Sequence, residues 1–126
     1  MRTNAGTSFQ ANQMSGTVAA VAKYIALTTN ATAPAATDTT LTSELAAASG
    51  GLVRAVAAFS YTGTNSFYTL TNTFTANVND GSTNTINKIG VFNAASAGTL
   101  VFETAVPNPP TLVPGDSVAI TETVNI

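Results

Sequence analysis

The stretch SFYTLTNTFTANV, residues 66–78, decides the fold. Threonine falls on every second position, at Thr69, Thr71, Thr73 and Thr75. Tyr68, Leu70, Phe74, Ala76 and Val78 take the positions between, with Asn72 as the polar exception. A helix would scatter these threonines around its circumference. A β-strand, whose side chains alternate between two faces, gathers them into one ladder. The spacing therefore predicts a strand with an apolar face toward a core and a threonine face toward solvent or a neighbouring molecule. Thr69, Thr71, Thr73 and Thr75 are accordingly candidates for an interaction surface.

The flanking sequence reads in the same way. LVRAVAAFSYT (52–62) alternates, with Val53, Ala55, Ala57, Phe59 and Tyr61 on one side, and TGTN (62–65) reads as a hairpin loop. NDGS (79–82) is the next turn. INKIGVF (86–92) predicts a strand in which Gly90 marks a bulge or a close backbone approach. TLVFETAV (99–106) predicts another, stopped by PNPP, and PGD (114–116) is a turn. SVAITETVNI (117–126) is the last strand, with Val118, Ile120, Val124 and Ile126 on one face and Glu122 interrupting them.

Toward the N-terminus, VAAVAKYIALTT (18–29) sets Val21, Lys23, Ile25 and Leu27 against Ala20, Ala22, Tyr24 and Ala26. Both sides are largely apolar, which predicts a strand covered on both faces. LTSELAAA (41–48), followed by Ser49, Gly50 and Gly51, is either a short helix or a loop that packs Leu41 and Leu45. Residues 1–17 are polar and predict an extended arm, either frayed or docked on a partner through Phe9 and Met14. Strand patterns recur roughly every 10 to 15 residues between Gly, Asn and Pro turns. The fold expected is all-β: one antiparallel β-sandwich or barrel-like domain over residues 18–126. It should hold about six to eight strands and at most one short helix, with the arm ahead of it.

Composition narrows the function. The chain has 126 residues, no cysteine and no histidine, so disulfides, thiolate or imidazole metal sites and His-dependent nucleophiles are excluded. Charged residues are 8% of the chain, against about 25% in ordinary soluble domains. Four cations cannot displace the counterions that a nucleic-acid interface requires, and no cationic helix face exists for a membrane surface. The first apolar run is interrupted by Lys23 and is too short to span a bilayer. Glu103, Asp116 and Glu122 are the acids of the C-terminal third, too few to mark a catalytic pair. NVNDGSTN (77–84) lacks the spaced acids of a calcium loop. No enzyme activity, cofactor, metal, nucleic acid or membrane is expected.

One covalent possibility stands out. Lys23 on the first strand and Asn125 on the last, with Glu103 between them in sequence, supply the residue types of a Lys–Asn isopeptide cross-link promoted by a buried acid. The other inference concerns edges. Monomeric sheets guard their open edges with lysine, proline or inward charge. This chain has two lysines, and its prolines cluster in loops. A surface built mainly from 23 Thr, 22 Ala and 12 Asn with few charges is a poor one for a solitary molecule. Coverage by other subunits is expected, with a symmetric trimer as the first choice.

Four stretches carry a resemblance: YIALTTNATAPAATDTTLTSEL (24–45), GGLVRAVAAFSYT (50–62), NTFTANVNDGSTNTINKIGVFNAASAGTLVFETAV (72–106) and PGDSVAITETVNI (114–126). Together they resemble small structural proteins of tailed bacteriophages, such as decoration (cement) and tail-fibre proteins. APAATDTTL and GVFNAASAGTLVFET are the most specific parts, and the arm lies outside the match. The resemblance implies a non-enzymatic virion component, β-rich and oligomeric. Its favoured form is a decoration protein on the capsid exterior that binds the major capsid protein. A tail-fibre, collar or receptor-binding part of the tail is the alternative. It implies no catalytic residue.

Overall fold

The computed structural model describes residues 1–16, 21–78 and 81–126. Over these residues the chain is a mostly-β domain with one helix, α1 (Asn4–Met14), and nine strands. The strands are β1 (Tyr24–Thr28), β2 (Ala55–Val56), β3 (Ala58–Ser60), β4 (Phe67–Thr75), β5 (Asn84–Thr85), β6 (Lys88–Phe92), β7 (Leu100–Ala105), β8 (Thr111–Leu112) and β9 (Ser117–Asn125). Four make an antiparallel sheet in the order β2-β1-β6-β7, three make a second in the order β3-β4-β9, and β5 pairs with β8. Among the described residues no sheet closes on itself, which removes the barrel-like alternative. The strand count exceeds the six to eight expected because β2, β5 and β8 are two residues long. Alternation cannot be read over so short a run.

One apolar core joins the two larger sheets. Ile25 and Leu27 of β1, Ile89 and Val91 of β6, and Val101 of β7 meet Leu70 and Phe74 of β4 and Ile120 and Val124 of β9. The pattern of residues 66–78 survives at the level of register. β4 pairs with β9 along its whole length, from Phe67 opposite Asn125 to Thr75 opposite Ser117. Leu70 and Phe74 are buried, while Thr73 and Thr75 are exposed and Thr69 and Thr71 half-buried. The 62–65 loop is a hairpin turn, with Asn65 N–H donating to the Thr62 carbonyl at 2.8 Å.

β1 is covered on both faces, as its sequence requires. Ile25 and Leu27 face the main core, and Tyr24 and Ala26 join Leu41, Phe92 and Leu100 in a second cluster on the opposite side. Residues 18–20 of the predicted strand and 79–80 of the predicted turn lie outside the described residues. The second cluster exists because the segment 30–45 crosses the outer face of the four-stranded sheet. Thr28 Oγ1 donates to the Thr42 and Ser43 carbonyls, and Leu45 N–H donates to the Leu27 carbonyl at 2.9 Å. A Cβ at Gly90 would meet Leu100 and Leu41 at 3.0 to 3.3 Å, so Gly90 marks a close approach. The register irregularity falls between Val91 and Phe92 instead.

Three expectations need correction. The helix at 41–48 is a series of turns, and Ser43 has a φ of 58°, a left-handed conformation that an α-helix cannot contain. Leu41 and Leu45 are nonetheless buried, as the loop alternative required. Residues 52–62 are two strands: the chain leaves the four-stranded sheet after β2 and enters the three-stranded sheet at β3. Ala57, at the crossing, donates to the Lys23 carbonyl at 2.7 Å. The predicted common face is divided as a result, with Ala57 buried and Val53, Phe59 and Tyr61 about half exposed.

The third correction is the arm, which is not extended. Thr3 caps α1, its Oγ1 accepting from Gly6 N–H at 2.9 Å and donating to the Leu100 carbonyl. Ahead of the cap, residues 1–3 pair with the outer edge of β7. Thr3 N–H donates to the Val101 carbonyl at 3.0 Å, Glu103 N–H donates to the Met1 carbonyl at 2.8 Å, and the Met1 amine donates to the Glu103 carbonyl at 2.7 Å. Gly6 lies against the same strand so closely that a Cβ would collide with the Val101 carbonyl. Asn, Gly, Thr and Ser make α1 a weak helix by propensity. Its stability comes from this pinning and from the burial of Phe9 in the main core. Phe9 is therefore unavailable to a partner, whereas Met14 is 91% exposed.

Candidate functional site

The outer face of the three-stranded sheet is the first candidate surface. The register puts Ser60 and Thr123 on either side of Thr69, and Ala58 and Thr121 on either side of Thr71. Ala119 stands opposite Thr73, and Ser117 opposite Thr75, whose hydroxyls share a hydrogen bond of 2.7 Å. The four threonines expected as an interface are thus joined by small hydroxyl or methyl side chains from both neighbouring strands. Among the described residues no charge stands on this face. Such a face is flat, offers hydroxyl donors and acceptors, and loses little side-chain entropy when covered.

The edges of the two large sheets are treated differently. Residues 1–3 occupy the outer edge of β7. β9 lies at the border of its sheet, and among the described residues no strand pairs with its outer edge. Its nine residues contain neither lysine nor proline. A second, polar depression of about 240 Å3 runs beside this edge, lined by Arg2, Glu122, Thr123 and Asn125 among others.

An apolar cleft of about 340 Å3 opens on another side, between α1 and the three-stranded sheet. Phe9, Val101 and Phe102 meet Leu70 there, and Phe59, Tyr68, Val21, Gln10 and Lys23 also line it. Phe59 is 59% exposed because β3 is an edge strand, and its ring leans on Tyr68 with centroids 5.3 Å apart. Burial raises the Tyr68 hydroxyl above its ordinary value, and the Glu122 charge adds to the effect.

Glu122 breaks the apolar face of β9 for a structural reason. It stands opposite Leu70, turned inward, and its Oε1 accepts from Thr104 Oγ1 on β7 at 2.8 Å. Burial pushes its carboxyl above the usual carboxylate range, and the Thr104 hydrogen bond partly offsets this. Arg54 is similarly structural. Its guanidinium makes two hydrogen bonds to the Glu44 carboxylate at 2.7 and 3.0 Å, reaches the Ala94 and Ala97 carbonyls, and stacks over the Phe92 ring at 3.5 Å.

Lys23 and Asn125 are not brought together. Lys23 precedes β1 and lines the apolar cleft, whereas Asn125 pairs with Phe67 at the end of β9 and lines the polar depression. The expected acid, Glu103, is buried, but beside Lys88. The buried ion pair of Lys88 and Glu103 is what the sequence reading missed. Only the presence of one lysine and one glutamate on neighbouring predicted strands could have hinted at it. Among the described residues no cluster of three or more His, Cys, Asp or Glu could hold a metal, and no helix is long and apolar enough to cross a membrane. Comparison with protein-family models, curated proteins and solved structures finds no match.

Proposed function

We propose that this chain is a non-enzymatic structural protein of a tailed-phage virion, a decoration protein that binds the outside of the capsid shell and stabilises it. The observation that carries the reading is the uncharged threonine face of β4 with its serine, alanine and threonine neighbours. Beside it runs the edge of β9, which has no lysine or proline and with which, among the described residues, no strand pairs. A face and an edge of this kind suit burial against other protein. The resemblance of about residues 23–126 to phage structural proteins supports the same reading. In it the two large sheets are the layers of a β-sandwich, copies associate as a trimer, and the major capsid protein is the partner. Binding the assembled shell alone stabilises it by mass action. Charge contributes little, so retention on shells should be insensitive to salt.

The test is co-sedimentation of the purified chain with empty shells of a tailed phage, followed by heating with and without it. Saturable binding that persists in high salt and raises the disruption temperature is expected. A monodisperse monomer that leaves shells unaltered would sink the proposal. The tilted pair of rings of Phe59 and Tyr68 lining the apolar cleft favours a second reading, a tail-associated receptor-binding component. Binding to a glycan array that Phe59→Ala abolishes would select it.

A further inference from the structure

Hydrogen bonds at the two ends of the β4–β9 ladder fix which way each backbone group of β9 points. Ile126 N–H donates to the Ser66 carbonyl at 2.8 Å, and Ala76 N–H donates to the Asp116 carbonyl at 2.7 Å. Both pairs continue the register that sets Phe67 opposite Asn125 and Thr75 opposite Ser117. Bonded and non-bonded pairs alternate along an antiparallel ladder. Val118, Ile120, Glu122 and Val124 therefore direct their N–H and carbonyl groups to β4. Ser117, Ala119, Thr121, Thr123 and Asn125 direct theirs to the outer edge. All five are exposed, and among the described residues no strand pairs with them.

These five residues match their own reversed copy. A second β9, turned about a two-fold axis through Thr121, sets Thr121 opposite Thr121, Ala119 opposite Thr123 and Ser117 opposite Asn125. Each of these pairs joins two residues whose backbone groups already point across the gap. About ten hydrogen bonds form, the number found in an ordinary protein interface. On the inward face the same register sets Val118 opposite Val124 and Ile120 opposite Glu122, so no like charges stand opposite each other. On the outward face it carries the small uncharged surface of β4 and β9 across into the second copy.

The ends of the ladder are complementary in charge. Arg2 is exposed and lines the polar depression beside the β9 edge, with Val124 and Asn125. Because Val118 of the second copy lies opposite Val124, its exposed Asp116 falls at the same end as Arg2. The two-fold axis repeats this match at the other end. We propose that the partner of the β9 edge is β9 of a second copy, paired antiparallel about Thr121 into a continuous six-stranded sheet. The inference does not rest on the reading above. It uses the edge and leaves the β4 face open to a shell. Where a threefold contact also forms, the assembly holds six copies.

Sedimentation equilibrium of the full chain tests this, together with cysteine cross-linking. Wild type should contain an even number of copies. Thr121→Cys should form a disulfide-linked dimer quickly under mild oxidation, since the paired Cα atoms lie about 5.5 Å apart. Ser117→Cys should remain largely uncross-linked, because at about 3.4 Å per residue the two copies of that position are about 27 Å apart. Thr121→Lys places two ammonium groups opposite each other and should halve the assembled mass with the fold intact. Should it fail to fold, Thr121→Pro serves instead: it removes an N–H that β4 does not use, and should also halve the mass. A wild type of one or three copies overturns the proposal. So does unchanged association in folded Thr121→Lys, or cross-linking of Ser117→Cys as fast as that of Thr121→Cys. A monomeric wild type whose shell binding is lost in Thr121→Lys would assign the edge to the shell protein, and overturns it as well.

Discussion

The two large sheets solve the same problem in opposite ways. β1 after Tyr24, β6 and the first part of β7 are buried without interruption, because the core covers one face and the segment 30–45 covers the other. β4 and β9 alternate buried and exposed residues, and among the described residues nothing covers their outer face. The covered sheet can afford a lysine and a glutamate in its interior, and they face each other. Among the described residues the outer face of the bare sheet carries no charge, where charge would be easiest to place. In the first, sequence is constrained by packing inside the molecule; in the second, by whatever lies outside it.

That contrast can be broken or sharpened by substitution. Leu27→Ala, in the covered sheet, should cost about 2–5 kcal/mol by urea denaturation, since Leu27 is fully buried. Gly6→Ala should cost about 1–3 kcal/mol, because the added methyl group must push α1 away from the Val101 carbonyl. Hydrogen exchange should show the loss concentrated in α1 and in the residues 1–3 pairing.

Glu122 offers a pH readout at the boundary between the sheets. Its folded value lies above its unfolded one, so the folded chain binds the proton more tightly. The resulting stability is complete below the ordinary carboxylate value and is lost as pH rises through the elevated folded value. Tm should therefore climb slightly on mild acidification from neutral pH, and Glu122→Gln should flatten that part of the profile while keeping an acceptor for Thr104. Smallest in stability is Thr73→Lys on the bare sheet, expected within about 0.5 kcal/mol of the parent. Its effect should appear in assembly, as weaker self-association and weaker shell binding by analytical ultracentrifugation. If Thr73→Lys unfolds the chain, or leaves association untouched, the two sheets do not differ in the way described.

Legibility in the sequence followed the same division. β4 and β9 were readable because each is nine residues long and half-buried, so their period of two is uninterrupted. β1 was readable from its two apolar faces. The sheet crossing at Ala57 was not, because alternation continues through it while the pairing partner changes. α1 was hidden because only Phe9 and Gly6 of its residues are buried, which leaves no apolar period to read. The threonine face was legible as a candidate surface, whereas its serine and alanine flanks depended on register. Glu103 was expected to serve a lysine, but the diagonal pairing across Gly90 chose Lys88 over Lys23.

The pairing of residues 1–3 with β7 also bears on the order of events during synthesis. The Met1 amine and the Glu103 carbonyl are 102 positions apart in sequence. Until the ribosome has released β7, the first segment has nothing to zip onto, and the Thr3 cap lacks the Leu100 carbonyl that holds it. Contacts so distant along the chain slow folding, since the intervening loop must close before they form. Residues 1–3 are made well before β7 and fixed only after it, and until then β7 presents a raw border to any strand within reach.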